Sequence, residues 1–269
     1  MRPQASIVIP LLNQVDAWLD QAVRSALTQP VECDVVVVTS PKTCASNREV
    51  LRRITAAHPR LRVVEREPQM RFAAALNLGI RSAEADRIAF LLTDDWLSPD
   101  AIEKCLEHET DIVSTGRIFY AADGQTVLTE LTRVHTAAAY EALKTFPDRA
   151  KFLGHLLMFQ RDRLAEVGGV DETLGDSPGV DDFDLIWCLL ERGATVAIVE
   201  EPLYHYRDHE GDRLTTRKRE DMLATFNRIL DKHAVGGDQR EEMLRRHSRW
   251  FGKSMSAVIR ESNSEKKRL

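Results

Sequence analysis

Apolar positions in the first half of the chain alternate between short β-branched runs and stretches with helical spacing. Residues 6–10, SIVIP, are typical of a buried parallel strand. In residues 16–27 the apolar side chains recur at the three- and four-residue intervals of an amphipathic helix. The same patterns predict strands over residues 33–38, 61–64 and 87–92 and from residue 111, and helices over residues 48–57, 70–80 and 99–106. Strands that alternate with helices through short connections predict a doubly wound, mostly parallel central sheet with flanking helices.

The second half of the chain has a different pattern. It predicts a hairpin turn at Asp123-Gly124. It also predicts strands over residues 154–159 and 195–199 and a helix over residues 180–191. From about residue 215 the sequence is helical and rich in charge. We therefore predict an α/β domain of residues 1–214, followed by a C-terminal helical extension of residues 215–269.

Composition and charge narrow the class of protein. The 269 residues are 43% hydrophobic and 29% charged, as in a globular chain and unlike a disordered or collagen-like one. The 37 basic and 42 acidic residues give a net charge of −5, whereas a duplex-binding protein normally has a strong basic bias. We therefore expect no nucleic-acid partner.

The cysteines and the hydrophobic runs indicate a cytoplasmic protein. The four cysteines are far apart and form no C-x-x-C pair: Cys33, Cys44, Cys105 and Cys188. A structural zinc site or a disulfide framework is therefore not expected. No run approaches the roughly 18 to 20 apolar residues that cross a bilayer, and the N-terminal run lacks a signal-peptide cleavage pattern. These features predict a reducing compartment.

Two adjacent carboxylates follow the strand predicted over residues 87–92. Asp94 and Asp95 would repel each other beside a core, but at the carboxyl end of a strand they are well placed to hold a hard divalent cation. The alternative is that they solvate the loop before the next helix, which Ser98 is expected to cap with Pro99 at the first helical position. The segment alone leaves both interpretations open.

Acidic residues crowd the start of the helix predicted over residues 180–191. The helix dipole favours Asp181, Asp182 and Asp184 there by about 0.3–1 kcal/mol each, so capping is one explanation. The other is that one of these carboxylates is a general base. Asp184 follows Asp182 by two residues, so the two side chains should point roughly 200° apart around the helix axis.

Three polar side chains follow the strand predicted over residues 195–199: His205, Arg207 and His209. Imidazole can bind a metal, and guanidinium can bind a phosphate through two hydrogen bonds. The alternation in Tyr204-His205-Tyr206-Arg207 also fits a half-exposed strand without any site.

Taken in order, four segments resemble the family 2 glycosyltransferases of the GT-A fold over roughly residues 5–215. They are SIVIPLLN, AAALNLGIRSAEADRIAFLLTDDWLSPDAIE, GGVDETLGDSPGVDDFDLIWCLLERG and EPLYHYRDHEGDRLT. In that family the first strand ends in a Pro-x-x-Asn turn, matched here by Pro10 and Asn13. An Asn-x-Gly signature precedes the central strand, matched by Asn77 and Gly79. The resemblance implies a GT-A-type sheet in which Pro10, Asn13 and Asn77 belong to the substrate site.

The resemblance also implies a metal and diphosphate site. The family's Asp-x-Asp-Asp-type motif binds the metal and the sugar nucleotide, and residues 92–95 occupy its place. Asp94 is thus expected to bind the metal and Asp95 the substrate. The family's Tyr-Arg-x-His segment lies near the diphosphate, so Arg207 is expected to bind the substrate and His209 the metal.

The catalytic base is implied in the same way. The family's Glu-Asp pair at a helix start carries the base, and it is matched by Asp181 and Asp182. Asp182 is therefore expected to be the base, and Asp181 to cap the helix or position a substrate hydroxyl. A base on the acceptor side implies one in-line displacement with inversion at the anomeric carbon.

Three positions depart from the family pattern. Leu92 replaces the first Asp of the central motif. The second strand ends in Thr39-Ser40, where the family usually has acidic residues that help to hold the uracil, so Thr39 is the expected contact there. Arg71 ends the segment that replaces the Asn-x-Gly before the third helix, and it is expected to contact a phosphate.

The resemblance therefore implies an inverting glycosyltransferase assisted by Mn²⁺ or Mg²⁺. It would move a sugar from a nucleotide-sugar donor, with a UDP-sugar favoured, to a glycan or lipid-linked acceptor in bacterial polysaccharide or glycoconjugate synthesis. A non-catalytic GT-A-fold protein that binds a sugar nucleotide or a glycan stays open, because of Leu92 and residues 39–40. A nucleotidyltransferase or a dinucleotide site is disfavoured, because residues 10–18 contain no Gly-rich phosphate loop. The basic runs of the C-terminal helices are expected to be solvated, with peripheral contact to a membrane as the second interpretation.

Overall fold

A mixed β-sheet of eight strands forms the centre of the part of the chain that the structure describes. The computed structural model describes residues 2–129, 135–174, 181–209, 219–249, 251–258 and 260. The strands are Ala5–Pro10 (β1), Cys33–Thr39 (β2), Leu61–Glu65 (β3), Arg87–Phe90 (β4), Trp96–Leu97 (β5), Ile112–Tyr120 (β6), Leu157–Gln160 (β7) and Val196–Arg207 (β8). Their order across the sheet is β3-β2-β1-β4-β7-β6-β8-β5. Strands β1 to β4 run parallel, as predicted, and β6 is parallel to β8, whereas β7 is antiparallel to both of its neighbours and β5 to β8.

Helices connect most of these strands and form the C-terminal part of the chain. They are Asp16–Leu27 (α1), Ala45–Ala57 (α2), Phe72–Ser82 (α3), Ala101–Leu106 (α4), Ala137–Glu141 (α5), Phe146–Phe152 (α6), Arg161–Glu166 (α7), Asp181–Glu191 (α8), Arg219–Lys232 (α9) and Gly237–Ser248 (α10). None of the helices described here combines the length and the apolar character needed to cross a membrane.

Two hydrophobic clusters lie on opposite faces of the sheet. Ile7 and Ile9 of β1 pack with α1, α2 and α4, whereas Val8 between them packs with α3, α6 and α8. Phe226 of α9 and Met243 of α10 are buried in the cluster that contains Val8. The C-terminal helices therefore share a core with the sheet. The boundary predicted after residue 214 lies outside the described residues, and the division into two domains stays a prediction.

Several elements differ by a few residues from the predicted bounds, and two of them do so because of contacts between distant segments. Helix α4 begins at Ala101, and the Ser98 hydroxyl lies 2.9 Å from His205 Nε2 instead of capping the helix. Strand β8 continues to Arg207, because its last residues pair with β6 and β5. Residues 204–207 are thus part of a strand, but their burial does not alternate, since Tyr204 and Arg207 are buried and the two residues between them are half-buried.

Candidate active site

A cleft of about 1110 Å³ opens where the parallel strands end. Pro10 at the end of β1, Ser40 after β2 and residues 92–94 after β4 line this cleft, together with the first residues of α8. In doubly wound sheets, ligands bind at the carboxyl ends of the strands. The cleft is therefore the candidate active site.

Asp94 lines this cleft and is paired with His209, which is buried behind it and is not part of the cleft lining. Asp94 Oδ2 lies 3.1 Å from His209 Nε2, and the two side chains are 14% and 6% exposed. The Trp18 ring packs against the imidazole, with 4.7 Å between the centroids. Magnesium-type sites typically use one or two protein ligands together with the oxygens of a substrate phosphate, and imidazole is also a ligand of divalent metals. The carboxylate and imidazole therefore fit a divalent cation that a diphosphate also coordinates.

Asp95 supports the end of β4 instead of lining the cleft. Its side chain is 1% exposed. Its Oδ2 accepts a hydrogen bond from the Tyr204 hydroxyl at 2.7 Å, and its Oδ1 accepts one from the Arg207 backbone N–H at 2.8 Å. Burial, reinforced by the nearby Asp95 carboxylate, raises the pKa of Tyr204 well above its ordinary value. Asp95 thus connects the end of β4 to β8 through two hydrogen bonds and is not part of the cleft lining, and the substrate contact implied for it stays a prediction.

Arg207 also lies behind the cleft rather than in its wall. The residue is 2% exposed. Its Nε donates to the Asp94 carbonyl at 3.0 Å, and its Nη2 donates to Gln21 Oε1 at 2.6 Å. The guanidinium lies between the Trp18 and Trp96 rings, 4.8 and 4.9 Å from their centroids. The guanidinium thus holds the backbone of Asp94 and is not part of the cleft lining, and its contact with a diphosphate stays a prediction.

The hairpin turn predicted at Asp123-Gly124 makes room for Arg207. The Ala121 N–H donates to the Thr126 carbonyl at 2.8 Å, which closes the turn. Gly124 has φ +68°, and a Cβ there would lie 2.3 Å from Arg207 Nη1. Glycine is required at this position by both the left-handed backbone and the approach of the guanidinium.

The first turn of α8 brings two carboxylates to the cleft. Asp181 and Asp182 both line it. Asp181 is 8% exposed, whereas the Asp182 side chain is 34% exposed. Asp182 Oδ1 accepts the N–H of Phe183 at 2.8 Å. Oδ1 is thus held by the helix backbone, and Oδ2 is the oxygen that faces His155.

Asp184 faces α9 rather than the cleft, as the helical spacing predicts. It is 1% exposed and bonded to Lys232 Nζ at 2.7 Å and His233 Nε2 at 3.1 Å. Burial alone would lower the pKa of His233, but hydrogen bonds with Asp184, Cys188 and Glu191 outweigh it and raise the pKa to about 10. Asp184, Cys188 and His233 also lie close enough together for a metal site. Because Lys232 already neutralises Asp184, the cluster is better described as an ion-pair network that joins α8 to α9.

His155 stands beside Asp182 and is a site residue that the sequence analysis missed. Its Nε2 lies 3.6 Å from Asp182 Oδ2, and its side chain is 13% exposed. Burial lowers the pKa of His155, and the positive charge of Arg117 acts in the same direction, whereas Asp182 and Asp94 oppose them. The imidazole stacks on Tyr204, with 5.3 Å between the centroids. The only signal in the sequence is one histidine before an apolar run, and that pattern does not distinguish a site from a core residue.

Asn13 and Arg71 line the cleft, whereas Thr39 does not. Asn13 Oδ1 accepts the N–H of Cys44 at 2.7 Å and so fixes the start of α2. Arg71 precedes α3 and is exposed. Thr39 is 1% exposed, and Ser40 is the residue that reaches the cleft at the end of β2. Ser40, rather than Thr39, is therefore the residue of this segment that lines the cleft.

Asn77 and Gly79 fix the position of α3 instead of lining the cleft. Asn77 Nδ2 donates to the Val170 carbonyl at 2.8 Å, and its Oδ1 accepts the Val170 N–H at 2.9 Å. A Cβ on Gly79 would lie 2.2 Å from Cγ1 of Val8. The Asn-x-Gly signature thus sets the packing of α3 on β1 and on a distant loop. Asn77 is not part of the cleft lining, and the substrate contact implied for it stays a prediction.

The sequence matches a known family over most of the sheet. The family model described as glycosyl transferase family 2 matches residues 6–165. The O-antigen biosynthesis protein RfbC of Myxococcus xanthus is 26% identical over 216 residues, which cover 77% of this chain and 16% of RfbC. The chain therefore spans about a sixth of the length of that relative.

Similar solved structures share the fold at low identity. S. aureus TarS in complex with UDP-GlcNAc is similar with a TM-score of 0.66 at 14% identity, over 87% of this chain and 67% of TarS. The mannosyltransferase PcManGT from Pyrobaculum calidifontis, in complex with GDP-Man and Mn²⁺, is similar with a TM-score of 0.65 at 17% identity, over 98% of this chain and 76% of PcManGT. The predicted α/β architecture of GT-A type is thereby confirmed.

Proposed function

Because the chain belongs to glycosyl transferase family 2, we propose that it transfers a sugar from a nucleotide-sugar donor to a hydroxyl acceptor, with inversion at the anomeric carbon. The observation that carries this proposal is the presence of two carboxylates from separate elements in one cleft. Asp94 follows β4, Asp182 lies in the first turn of α8, and both line the cleft. Inverting transfer requires stabilisation of the leaving diphosphate and a base for the acceptor hydroxyl.

The donor's diphosphate belongs on the side of Asp94. A divalent cation, Mn²⁺ or Mg²⁺, would neutralise the charge that develops on the diphosphate. Asp94 Oδ2 and His209 Nε2, which are 3.1 Å apart, would hold it. Arg207 keeps the Asp94 backbone in place through its hydrogen bond to the carbonyl. Arg71 lines the cleft and supplies a second positive charge for a phosphate.

Asp182 is the proposed base. Its Oδ1 accepts the N–H of Phe183, so that Oδ2 is left to accept a proton. As the acceptor oxygen attacks the anomeric carbon, its proton passes to Oδ2, and the electron pair of the breaking bond leaves with the diphosphate. One displacement without a covalent sugar–enzyme step inverts the configuration. Asp181, which is mostly buried at the same edge of the cleft, positions a substrate hydroxyl.

We favour a UDP-sugar as the donor. TarS was solved with UDP-GlcNAc and PcManGT with GDP-Man, so the fold accommodates both bases. In this chain Pro10, Asn13, Ser40 and Lys42 line the part of the cleft beyond β1 and β2. The choice of uridine rests on the family resemblance as a whole. Thymidine and guanosine stay open, because residues 39–40 lack the family's usual carboxylate, and the experiment below compares the three bases directly.

The acceptor is proposed to be a glycan or a lipid-linked sugar of bacterial polysaccharide or glycoconjugate synthesis. Apolar side chains from α6, α8 and the C-terminal segment line the cleft together with Asp182: Phe152, Phe183, Ile186, Phe251 and Met255. Such a wall suits the apolar face of a sugar ring or the start of a lipid chain. The name of the relative RfbC refers to O-antigen biosynthesis, which supports the same class of product.

We also propose that the protein is cytoplasmic and makes peripheral contact with a membrane. The four cysteines are unpaired, which supports a reducing compartment. Arg245 and Arg246 of α10 are exposed, and they pair with Glu242 and Asp148, which also fits an ordinary solvated helix face. The basic positions 217–218 and 266–268 lie outside the described residues.

The experiment that tests the function is a screen of UDP-, GDP- and dTDP-sugars by thermal shift, with and without Mn²⁺, followed by assays of nucleoside diphosphate release. A ligand that binds only the folded state raises the melting temperature. We expect stabilisation by a UDP-sugar with Mn²⁺ and release of UDP. Binding without any turnover would instead indicate a GT-A-fold binding protein. Stabilisation by a GDP-sugar above all others would overturn the choice of uridine.

A further inference from the structure

Asp182 and His155 leave a gap between two polar atoms at the cleft. Nε2 of His155 lies 3.6 Å from Oδ2 of Asp182, beyond the range of about 2.7–3.2 Å that N–H···O hydrogen bonds prefer. An oxygen atom placed about 2.8 Å from both atoms would form a hydrogen bond with each. A hydroxyl group suits this gap, because it both donates and accepts hydrogen bonds.

Both sides of the gap are fixed by their surroundings. The imidazole of His155 stacks on Tyr204, whose hydroxyl donates to the buried Asp95. The Asp182 carboxylate is held by its hydrogen bond from the Phe183 N–H. The two groups therefore present one donor and one acceptor in a fixed relation, which is how an active site lowers the entropy cost of orienting a nucleophile.

Electrostatics select the form of His155 that can donate towards the gap. Burial and the positive charge of Arg117 keep the imidazole neutral by lowering its pKa, although Asp182 opposes them. A neutral imidazole has one N–H. A hydrogen on Nε2 faces the negative Asp182 carboxylate, whereas a lone pair there would be repelled by it. Nδ1 has no hydrogen-bond partner among the described residues, which agrees with the hydrogen being on Nε2.

We propose that His155 is a second catalytic residue, and that its Nε2–H and Asp182 Oδ2 together bind the nucleophilic hydroxyl of the acceptor. This inference rests on the proposed function. The hydroxyl oxygen accepts a hydrogen bond from Nε2–H through one lone pair and donates its own hydrogen to Oδ2. Its second lone pair is then left to attack the anomeric carbon.

The step balances without any further reactant. The hydroxyl proton moves to Asp182 Oδ2, and the acceptor oxygen forms its bond with the anomeric carbon. The bond between that carbon and the phosphate oxygen breaks, and its electron pair leaves with the nucleoside diphosphate. His155 keeps its proton throughout and orients the attacking oxygen.

The test compares two substitutions of His155 in the 269-residue chain. The assay follows nucleoside diphosphate release from the nucleotide sugar that the wild type consumes, with water as the nucleophile when no acceptor is supplied. His155→Leu keeps the volume and removes the donor, and it should lower kcat by about tenfold or more. His155→Gln keeps an N–H near the place of Nε2, and it should restore kcat to within about threefold of the wild type. Calorimetry should give UDP affinities in Mn²⁺ that differ by less than about twofold among the three proteins.

A double substitution separates catalysis from support of the fold. If His155 and Asp182 act on the same hydroxyl, His155→Leu should cost less than about twofold further in an Asp182→Asn background, since effects of groups that act together are not additive. His205→Leu is the matched control. His205 is a half-buried imidazole on β8 outside the cleft lining, and its Nδ1 also lacks a partner among the described residues. The His205→Leu protein should retain nearly the wild-type kcat.

Several outcomes would overturn the assignment of His155. They are a His155→Leu protein with full turnover, a loss of UDP binding in that protein, equal losses in the Leu and Gln variants, and losses that multiply with that of Asp182→Asn. A wild-type protein that binds nucleotide sugars but consumes none would instead remove the proposed function, on which the role of His155 depends. The wild-type assay alone distinguishes that failure from the others.

Discussion

Asp94 is the residue on which any metal dependence should rest. Its Oδ2 lies 3.1 Å from His209 Nε2 at the edge of the cleft, and Asp94→Ala removes the carboxylate of this pair. We expect Mn²⁺ to tighten UDP binding to the wild type by roughly tenfold or more, because a cation held by the Asp94 carboxylate would neutralise charge on the diphosphate. In the variant the affinities with Mn²⁺ and with EDTA should be equal. Isothermal titration calorimetry in the two buffers measures both quantities.

Asp162→Ala provides the control for this measurement. Asp162 is an exposed carboxylate in the first turn of α7, away from the cleft lining. The control should keep the full effect of manganese. If the wild type itself binds UDP equally well with EDTA and with Mn²⁺, the metal site at Asp94 does not exist.

Motif matching predicted the positions of the site better than the directions of its side chains. Asp94 and Asp182 line the cleft as the order of segments implied. Asp95 and Arg207 face away from the cleft, because they form hydrogen bonds with Tyr204 and Asp94. These partners are 109 and 113 positions away in the sequence. His155 reaches Asp182 only through the fold. A local sequence pattern carries no information on contacts between residues far apart in the sequence. The side-chain roles that depend on such contacts could therefore be assigned only from the structure.

At the scale of elements, the contact of α3 with β1 depends on the absence of a side chain at residue 79. A Cβ on Gly79 would lie 2.2 Å from Cγ1 of Val8. Gly79→Ala should therefore lower the free energy of unfolding by about 1–3 kcal/mol, the usual cost of overpacking a core. Urea denaturation followed by circular dichroism measures it. Gly236→Ala, whose Cβ would meet nothing within 4 Å, should cost clearly less, and equal costs would refute the packing explanation.

The junction of α8 with α9 should weaken at alkaline pH. The pKa of His233 is raised to about 10 in the fold, against an ordinary value of 6.5. A raised folded-state pKa means that the stabilisation is complete below pH 6.5 and is lost as the pH rises through about 10. The melting temperature of the wild type should thus fall towards that of His233→Gln between about pH 7 and about pH 10.5. Scanning calorimetry of both proteins tests this, and a constant difference would contradict the ion-pair network.

Local patterns predicted the elements of the first half better than those of the second. Helix α1 has the bounds that its apolar spacing indicates, and β1 to β3 agree within one residue at either end. The two-residue strand β5 and the short helices α5 to α7 carry too few periodic positions to be recognised. The antiparallel direction of β7 follows from its pairing with Arg87–Phe90 and Ile112–Tyr120, which no local pattern encodes.

At the scale of the whole molecule, the cleft joins parts of the chain that are far apart in sequence. The carboxyl ends of β1, β2 and β4 supply one group of lining residues, and α6, α8 and the C-terminal segment supply another. The C-terminal helices reach the cleft because Phe226 and Met243 are buried in the same cluster as Phe183. The two groups of lining residues therefore stand on one shared hydrophobic core, and the proposed donor and acceptor would meet between them.

The proposed transfer depends above all on the group that takes the proton of the incoming hydroxyl, for which we propose Asp182. Asp182→Asn keeps the shape of the side chain and removes its ability to take a proton. Asp184→Asn is the control on the same helix, since Asp184 faces Lys232 and His233 instead of the cleft. Circular dichroism at a temperature well below the transition verifies that both variants are folded.

The most direct measurement is kcat for nucleoside diphosphate release by these two variants, together with the dissociation constant of the donor. We predict that Asp182→Asn lowers kcat by about 10²-fold or more, the usual effect of losing a general base. Its donor affinity should be nearly unchanged, because the carboxylate serves the acceptor, and Asp184→Asn should keep kcat within a small factor of the wild type. An Asp182→Asn enzyme that works at full speed, or one that loses donor binding instead, would contradict the account and move the base to Asp181 or elsewhere.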